Sequence, residues 1–323
     1  MSLTVLFSSA GRRVALIQCF RDDARRLGVG VRLLAVDLDP AQSAACQAAD
    51  ACFPVPRCTD AGFIPAMLEI CRRENVALLV PTIDTELSVL AAHRDDFAAI
   101  GTRVAISSPD VVAVARDKSR TAEVLAAAGI AVPRTAPLEA LLDAPGSWGW
   151  PVVLKPIGGS SSVGMQIVHS TEEAQRLAAL RGDYLAQEQW KGREFTVNVF
   201  VDAVGKLRCA VPHWRIETRA GEVSKARTER VPVLEEAATK VAAALPGARG
   251  ALCFQAILTE DGRAGVFEVN ARFGGGYPLA HRAGARFSQW LLEESLGLQC
   301  TANNDWRAGV TMLRYDDAVF VGG

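Results

Sequence analysis

The sequence predicts an α/β domain with a doubly wound parallel sheet, followed by an α+β module with antiparallel sheets. Three observations predict it. Strand-like and helix-like segments alternate through residues 1–110. The strand-like segments there are near-continuous apolar runs, as in strands covered on both faces. Beyond residue 110 strand-like runs dominate and follow one another across turn signals.

The elements follow in order. LTVLFSS (3–9) is a strand, VALIQCFRDDARRLG (14–28) has helical spacing, and VRLLAVDLD (31–39) is a second strand. FIPAMLEICRREN (63–75) is helical and leads into the strand VALLVPTID (76–84). ELSVLAAHRDDFAAIG (86–101) reads as one helix and TRVAIS (102–107) as a strand. SPDVVAVARDKSRTAEVLAAAG (108–129) reads as one helix, with Ser108 or Asp110 as its cap. After a loop rich in Pro and Gly come the runs PVVLKP, GMQIVHS, YLAQEQW, EFTVNVFVD, KLRCAVPHWRIE, ALCFQAIL and AGVFEVNA. Helices are expected over TEEAQRLAAL, VLEEAATKVAAAL and ARFSQWLLEESLG. The boundaries read as 1–110, 111–185 and 186–323.

Composition excludes several classes. The 323 residues carry 35 basic and 36 acidic groups, which argues against a nucleic-acid surface. No run of about 18 uncharged apolar residues exists, so no membrane span is expected. Charges follow the first apolar stretch rather than precede it, so a cytoplasmic protein is expected. The eight cysteines form no CxxC pair and the four histidines are scattered, which speaks against zinc. SSAGRR after the first strand is not GxGxxG, so a nicotinamide site lacks its main support. Six of the 35 basic residues are lysines and the other 29 arginines, so a retained lysine has a better claim to need its compact ammonium.

Three stretches carry chemistry. In VVLKPIGGSSSVGM (152–165) Lys155 ends a strand before a loop of Gly159, Ser160, Ser161 and Ser162, a source of backbone and hydroxyl donors for phosphate; an ordinary polar hairpin turn is the alternative. In ALCFQAILTEDGRAGVFEVNARFGGG (251–276) a two-residue turn at Asp261-Gly262 sets Gln255 opposite Glu268. Glu268 and Asn270 then share that face, and three oxygen donors suit a hard cation; Phe267 and Val269 fall on the other, apolar face. A solvated polar face is the alternative. In LAQEQWKGREFTVNVF (185–200) a strand ending at Glu188 leads to Gln189-Trp190, a Lys-Gly turn follows, and Glu194 opens the next strand, an arrangement suited to a purine and its ribose or to a plain β connection. In the first domain, ligands of a doubly wound sheet sit past the C-terminal strand ends, where Arg12, Asp84 and Glu86 lie.

Together these stretches resemble the ATP-grasp superfamily, over residues 110–310. RDKSRT is similar to its early lysine segment (Lys118), VLKP to the second lysine (Lys155), and GGSSSVGM to its phosphate loop. QEQWKGREFTV is similar to the adenine hinge and ribose carboxylate, and Gln255, Glu268 and Asn270 to the metal set, with Arg272 after it. PTIDTELSVLA, RIETRAGEVSKA and NARFGGGYPLAHRAG resemble stand-alone carbamoyl-phosphate-synthase-like proteins, relatives of the pyrrolysine-pathway amino-acid ligase. The resemblance implies a pre-ATP-grasp domain and two ATP-grasp subdomains. It implies ATP, Mg²⁺ or Mn²⁺, and a carboxylate–amine ligase forming a C–N bond through an acyl phosphate. Arg272, Arg215 and Lys225 would act at the transferred phosphoryl group or the carboxylate. A small-molecule kinase, carbamoyl-phosphate-synthase-type phosphorylation of a small carboxylate, and a nucleotide-binding regulator are the alternatives. His213, His281 and Asp84 are candidates for a general base. The substrates expected are a small carboxylate and an amine, an amino acid preferred for the mixed charge around Arg12, Asp84 and Glu86, and a homodimer is compatible with the reading.

Overall fold

In a computed structural model the chain folds around three sheets; the structure describes residues 2–157, 164–180 and 184–322. The first sheet holds β1 (Ser2–Ser8), β2 (Gly30–Asp37), β3 (Ala51–Pro54), β4 (Leu78–Pro81) and β5 (Arg103–Val104). All its pairings are parallel, in the order β3-β2-β1-β4-β5. Its helices are α1 (Val14–Leu27), α2 (Ala44–Ala48), α3 (Phe63–Arg73), α4 (Asp84–Ala92) and α5 (Arg94–Ala99). The expected single helix over 86–101 is two. His93 leaves helical geometry between α4 and α5, and its imidazole bonds Asp96.

Two more helices, α6 (Pro109–Arg116) and α7 (Lys118–Ala127), replace the single one expected over 108–129. Ser108 caps α6. Asp117 is extended and its carboxylate accepts from the amides of Ser119 and Arg120, so it ends one helix and starts the next. That break makes Lys118 the first residue of α7.

The second sheet has the order β6-β9-β7-β8, from β6 (Thr135–Pro137), β7 (Val152–Pro156), β8 (Gln166–Val168) and β9 (Tyr184–Glu188). Helices α8 (Leu138–Asp143) and α9 (Thr171–Leu180) accompany it. The third sheet, in the order β14-β13-β10-β11-β12-β15, is antiparallel. It contains β10 (Arg193–Val201), β11 (Leu207–Arg219), β12 (Glu222–Thr228), β13 (Gly250–Leu258), β14 (Ala264–Asn270) and β15 (Thr311–Leu313). Its helices are α10 (Pro232–Ala244), α11 (Tyr277–Ala283) and α12 (Phe287–Ser295).

Alternation along β10 and β13 divides the third sheet by face. Phe195, Val197, Val199 and Phe254 face α6, α7 and α10 and join one buried cluster with the first sheet. The other face changes character along its length. Phe200 and Cys209 lie at its inner end, packed with Tyr277, Phe287 and Trp290. Asn198, Cys253 and Asn270 come next, then Thr196, Gln255 and Glu268. The sheet therefore carries one face from dry to polar as it leaves the first domain.

Candidate active site

The polar end of that face is built by register. Asn198 pairs with Cys253 and Cys253 with Asn270; Thr196 pairs with Gln255 and Gln255 with Glu268. The expected opposition of Gln255 and Glu268 is present, but the turn is not the two-residue one. Thr259 N–H bonds Arg263 O, which leaves a three-residue loop and shifts the pairs Leu258–Ala264, Ile257–Gly265 and Ala256–Val266 by one. A β-bulge between Gln255 and Ala256 returns the register before the donors are reached. The extra residue is Phe267. Its ring lies under the Lys155 ammonium, 4.5 Å from Nζ to the centroid, so it faces the second sheet instead of the apolar side expected for it.

Lys155, from β7, donates to Gln187 Oε1 at 2.7 Å, and Gln187 donates to Thr135 Oγ1 at 2.9 Å. Burial lowers the Lys155 ammonium to about 8; Glu268 and Glu194 oppose that shift and Lys118 adds to it. Two lysines and two carboxylates are thus close enough to sense one another. The loop expected to carry Gly159, Ser160, Ser161 and Ser162 lies outside the described residues.

The connection from β9 to β10 is pinned to β14. Trp190 Nε1 donates to Glu188 Oε2 at 3.0 Å, and the indole rests against Gly265, where a Cβ would sit 2.4 Å from the ring. Glu194 faces Arg215, whose Nε is 3.0 Å away. Arg215 also donates to Thr196 Oγ1 and Gly221 O.

The donor row ends at the seam with the first domain. Arg272 Nη2 lies 2.5 Å from Asp84 Oδ2 and 3.3 Å from Asn270 Oδ1, and Nη1 bonds Phe273 O. Asp84 and Arg272 are nearly buried, at 12% and 13% side-chain exposure. Arg13 enters the same place: Nη2 is 3.3 Å from Thr82 O and 3.9 Å from Glu222 Oε1. Burial lowers its guanidinium pKa, and the nearby Arg272 lowers it further. Arg314 approaches Glu222 from the other side, at 3.6 Å. Sequence reasoning missed Arg13, Glu222 and Arg314. The signal for Arg13 was its place in SSAGRR beside Arg12, which is exposed. Lys225 forms a cross-strand ion pair with Glu217, half exposed, and is not gathered with Arg272.

Glu86 is fully buried. It accepts from Thr82 N, Ile83 N and Ser9 Oγ, which ties the loop after β1 to the start of α4; burial raises its pKa against those bonds. It props the strand ends rather than facing the seam. His213 is buried as well, with Nδ1 on Asn198 and burial lowering it to about 3. A Cβ on Gly276 would fall 2.7 Å from His213 Nε2, and one on Gly275 1.7 Å from Glu222 Oε2. The run Gly274-Gly275-Gly276 thus approaches the sheet's own side chains. His281 is taken up by Asp23 at 3.0 Å. Neither imidazole faces the seam as a base.

The ATP-grasp domain model matches residues 115–276, and a PylC-like N-terminal domain model matches residues 5–105. The chain belongs to the ATP-grasp superfamily. The D-alanine–D-alanine ligase of Pseudomonas putida strain GB-1 is 31% identical over 201 residues, covering 56% of this ATP-grasp chain and 63% of the ligase. The chain thus spans under two thirds of that relative's length. Human mitochondrial pyruvate carboxylase is 29% identical over 164 residues, 45% of this chain and 14% of the carboxylase. Among solved structures, the biotin carboxylase domain of Hydrogenobacter thermophilus 2-oxoglutarate carboxylase, a dimer with MgADP and bicarbonate, superposes at a TM-score of 0.76 and 17% identity. It covers 95% of this chain and 73% of its own. The L-amino acid ligase of Bacillus licheniformis superposes at 0.72 and 18% identity, over 95% and 77%. These structures share the ATP-grasp fold. No helix among the described residues is long and apolar enough to cross a membrane.

Proposed function

We propose that this ATP-grasp protein is an ATP- and Mg²⁺-dependent ligase joining a carboxylate to an amine, with an amino acid among its substrates. One observation carries the reading. The oxygen donors Gln255, Glu268 and Asn270 run along one face into the Asp84–Arg272 pair, with Lys155 set over the same hairpin. A carboxylate and two amide oxygens fit a hard cation, and these three would hold Mg²⁺, whose charge offsets that of the phosphates. The names of the D-alanine–D-alanine ligase and the L-amino acid ligase support ligation of amino acids.

In this reading Lys118, Lys155 and the segment of Gly159, Ser160, Ser161 and Ser162 bind phosphates. The Glu188–Trp190 connection takes the adenine and Glu194 the ribose. A substrate carboxylate oxygen attacks the γ-phosphorus and ADP leaves. The amine nitrogen then attacks the acyl carbon, phosphate leaves, and the amine proton passes to phosphate or solvent. Arg272 and Arg215 hold the charge that develops on the transferred group and the carboxylate. Asp84 holds an ammonium, and Glu86 positions the loops from within. Arg12 and Lys225 fall outside this set, while Arg13, Glu222 and Arg314 enter it. A homodimer working in the cytoplasm completes the reading, and sedimentation of the full chain checks the first.

The test is ADP release against pools of amino acids, in the wild type and in Asp84→Asn. Stimulation by an amino acid, lost in the variant, is expected. No stimulation by any amino acid, or stimulation unchanged in Asp84→Asn, overturns the reading.

A further inference from the structure

A separate cleft of about 430 Å³ opens at the free edge of the first sheet. That volume lies in the range of small-molecule sites. Its charged lining is Arg94, Arg103 and Arg249, and its apolar lining includes Val104, Ile106 and Ala203. No carboxylate lines it among the described residues. Gly250 lines it too, five residues before Gln255 on β13. At ~3.4 Å per strand residue the cleft is about 17 Å from the donor row.

The three arginines are anchored without being used up. Arg103 Nη2 bonds Glu294 at 2.5 Å, Arg94 Nε lies 3.5 Å from Asp95, and Arg249 Nη1 bonds Ala248 O at 2.6 Å. These contacts engage one nitrogen of each, and a guanidinium carries five donors. Arg249 is held further by packing: a Cβ on Gly205 would fall 2.6 Å from its Nη1. The backbone adds a donor. Arg103 N–H and Ala105 N–H bond Ala77 O and Leu79 O of the neighbouring strand. Alternation along the ladder therefore turns the Val104 N–H to the free edge, into the cleft.

Three guanidinium groups and an amide over an apolar floor suit one ligand chemistry. The geometry points to a second binding site here, for a small molecule carrying a carboxylate or phosphate on an apolar body. Residues 94–106 belong to the first domain, whereas Ala203 lies in the connection between β10 and β11, Arg249 just before β13, and Gly250 at the start of β13. A ligand in the cleft bridges the two at a point where Ser107 already bonds Arg249 N.

Calorimetric titration of the full chain in chloride buffer tests this, with phenyl phosphate, phenylacetate and inorganic phosphate as probes. Phenyl phosphate or phenylacetate is expected to saturate with a Kd of about 1 mM or tighter, at least tenfold tighter than inorganic phosphate. Preference between the two separates a phosphate ligand from a carboxylate. Arg103→Gln should weaken binding about tenfold or more, and Arg94→Gln about threefold, as expected for lost charge-assisted bonds. Arg94 is on the surface, so its variant keeps the test open if Arg103→Gln fails to fold. Glu268→Gln should leave the affinity unchanged. The proposal is overturned by absence of saturation, by unchanged affinity in Arg94→Gln, by equal binding of inorganic phosphate, or by loss of binding in Glu268→Gln or on adding ATP.

Discussion

Two places where the first domain meets the rest bury charge, and they treat it in opposite ways. At one, Asp23 of α1 is wholly enclosed and accepts from His281 Nε2, Arg286 Nη1, Ser288 Oγ and Gln289 N. Burial pushes its pKa up, yet those partners hold it below the ordinary aspartate range. At the other, Arg13, Asp84, Glu222, Arg272 and Arg314 meet with fewer bonds. Among the described residues the buried Nε of Arg272 has no hydrogen-bond partner. A saturated charge locks elements together and can accept no ligand. A partly satisfied group costs stability, and such groups gather where a ligand completes them.

The comparison can be broken by substitution. Asp23→Ala should cost about 3–5 kcal/mol, because it leaves Arg286 and His281 facing an unfilled buried space. Chemical denaturation measures it, and a loss under about 1 kcal/mol would make the knot a bystander. Lys155→Met should leave the unfolding midpoint nearly unchanged while lowering ATP turnover about 100-fold or more. Equal damage to folding and turnover would make Lys155 structural. Gly275→Ala displaces the Glu222 carboxylate, the far end of a flexible side chain, and should cost under about 1 kcal/mol while raising the KM for the substrate at the seam. A normal KM would detach Glu222 from substrate. Nucleotide affinity should fall as pH rises through about 8, where the buried Lys155 loses its charge. Binding measured from pH 7 to 9.5 tests this, and a flat profile removes Lys155 from the phosphates. Lys225→Ala is the smallest effect: less than a twofold change in turnover is expected from an exposed pair with Glu217.

The first sheet was legible because buried parallel strands are written as apolar runs, such as LTVLF and ALLVP. The Gln255–Glu268 opposition was legible from period two and a turn signal, although two departures of register cancelled to preserve it. Phe267 was not legible, since a bulge at that point has no spacing of its own and reverses the face assigned by alternation. Helix breaks at His93 and Asp117 lay inside good helical periodicity; at Asp117 local capping overrode the pattern, and at His93 the backbone turns without a side-chain cap. Arg13 and Arg12 are adjacent and chemically identical. Only the geometry entering α1 decides which guanidinium reaches Glu222, and an amino-acid string does not carry that angle.

The bulge at Phe267 has a mechanical consequence. In a plain hairpin, lengthening the tip by one residue slides every rung beyond it and turns the far side chains to the opposite face. Here the one-residue offset at Thr259–Arg263 is absorbed before Gln255, so the tip and the donor row behave as separately adjustable parts.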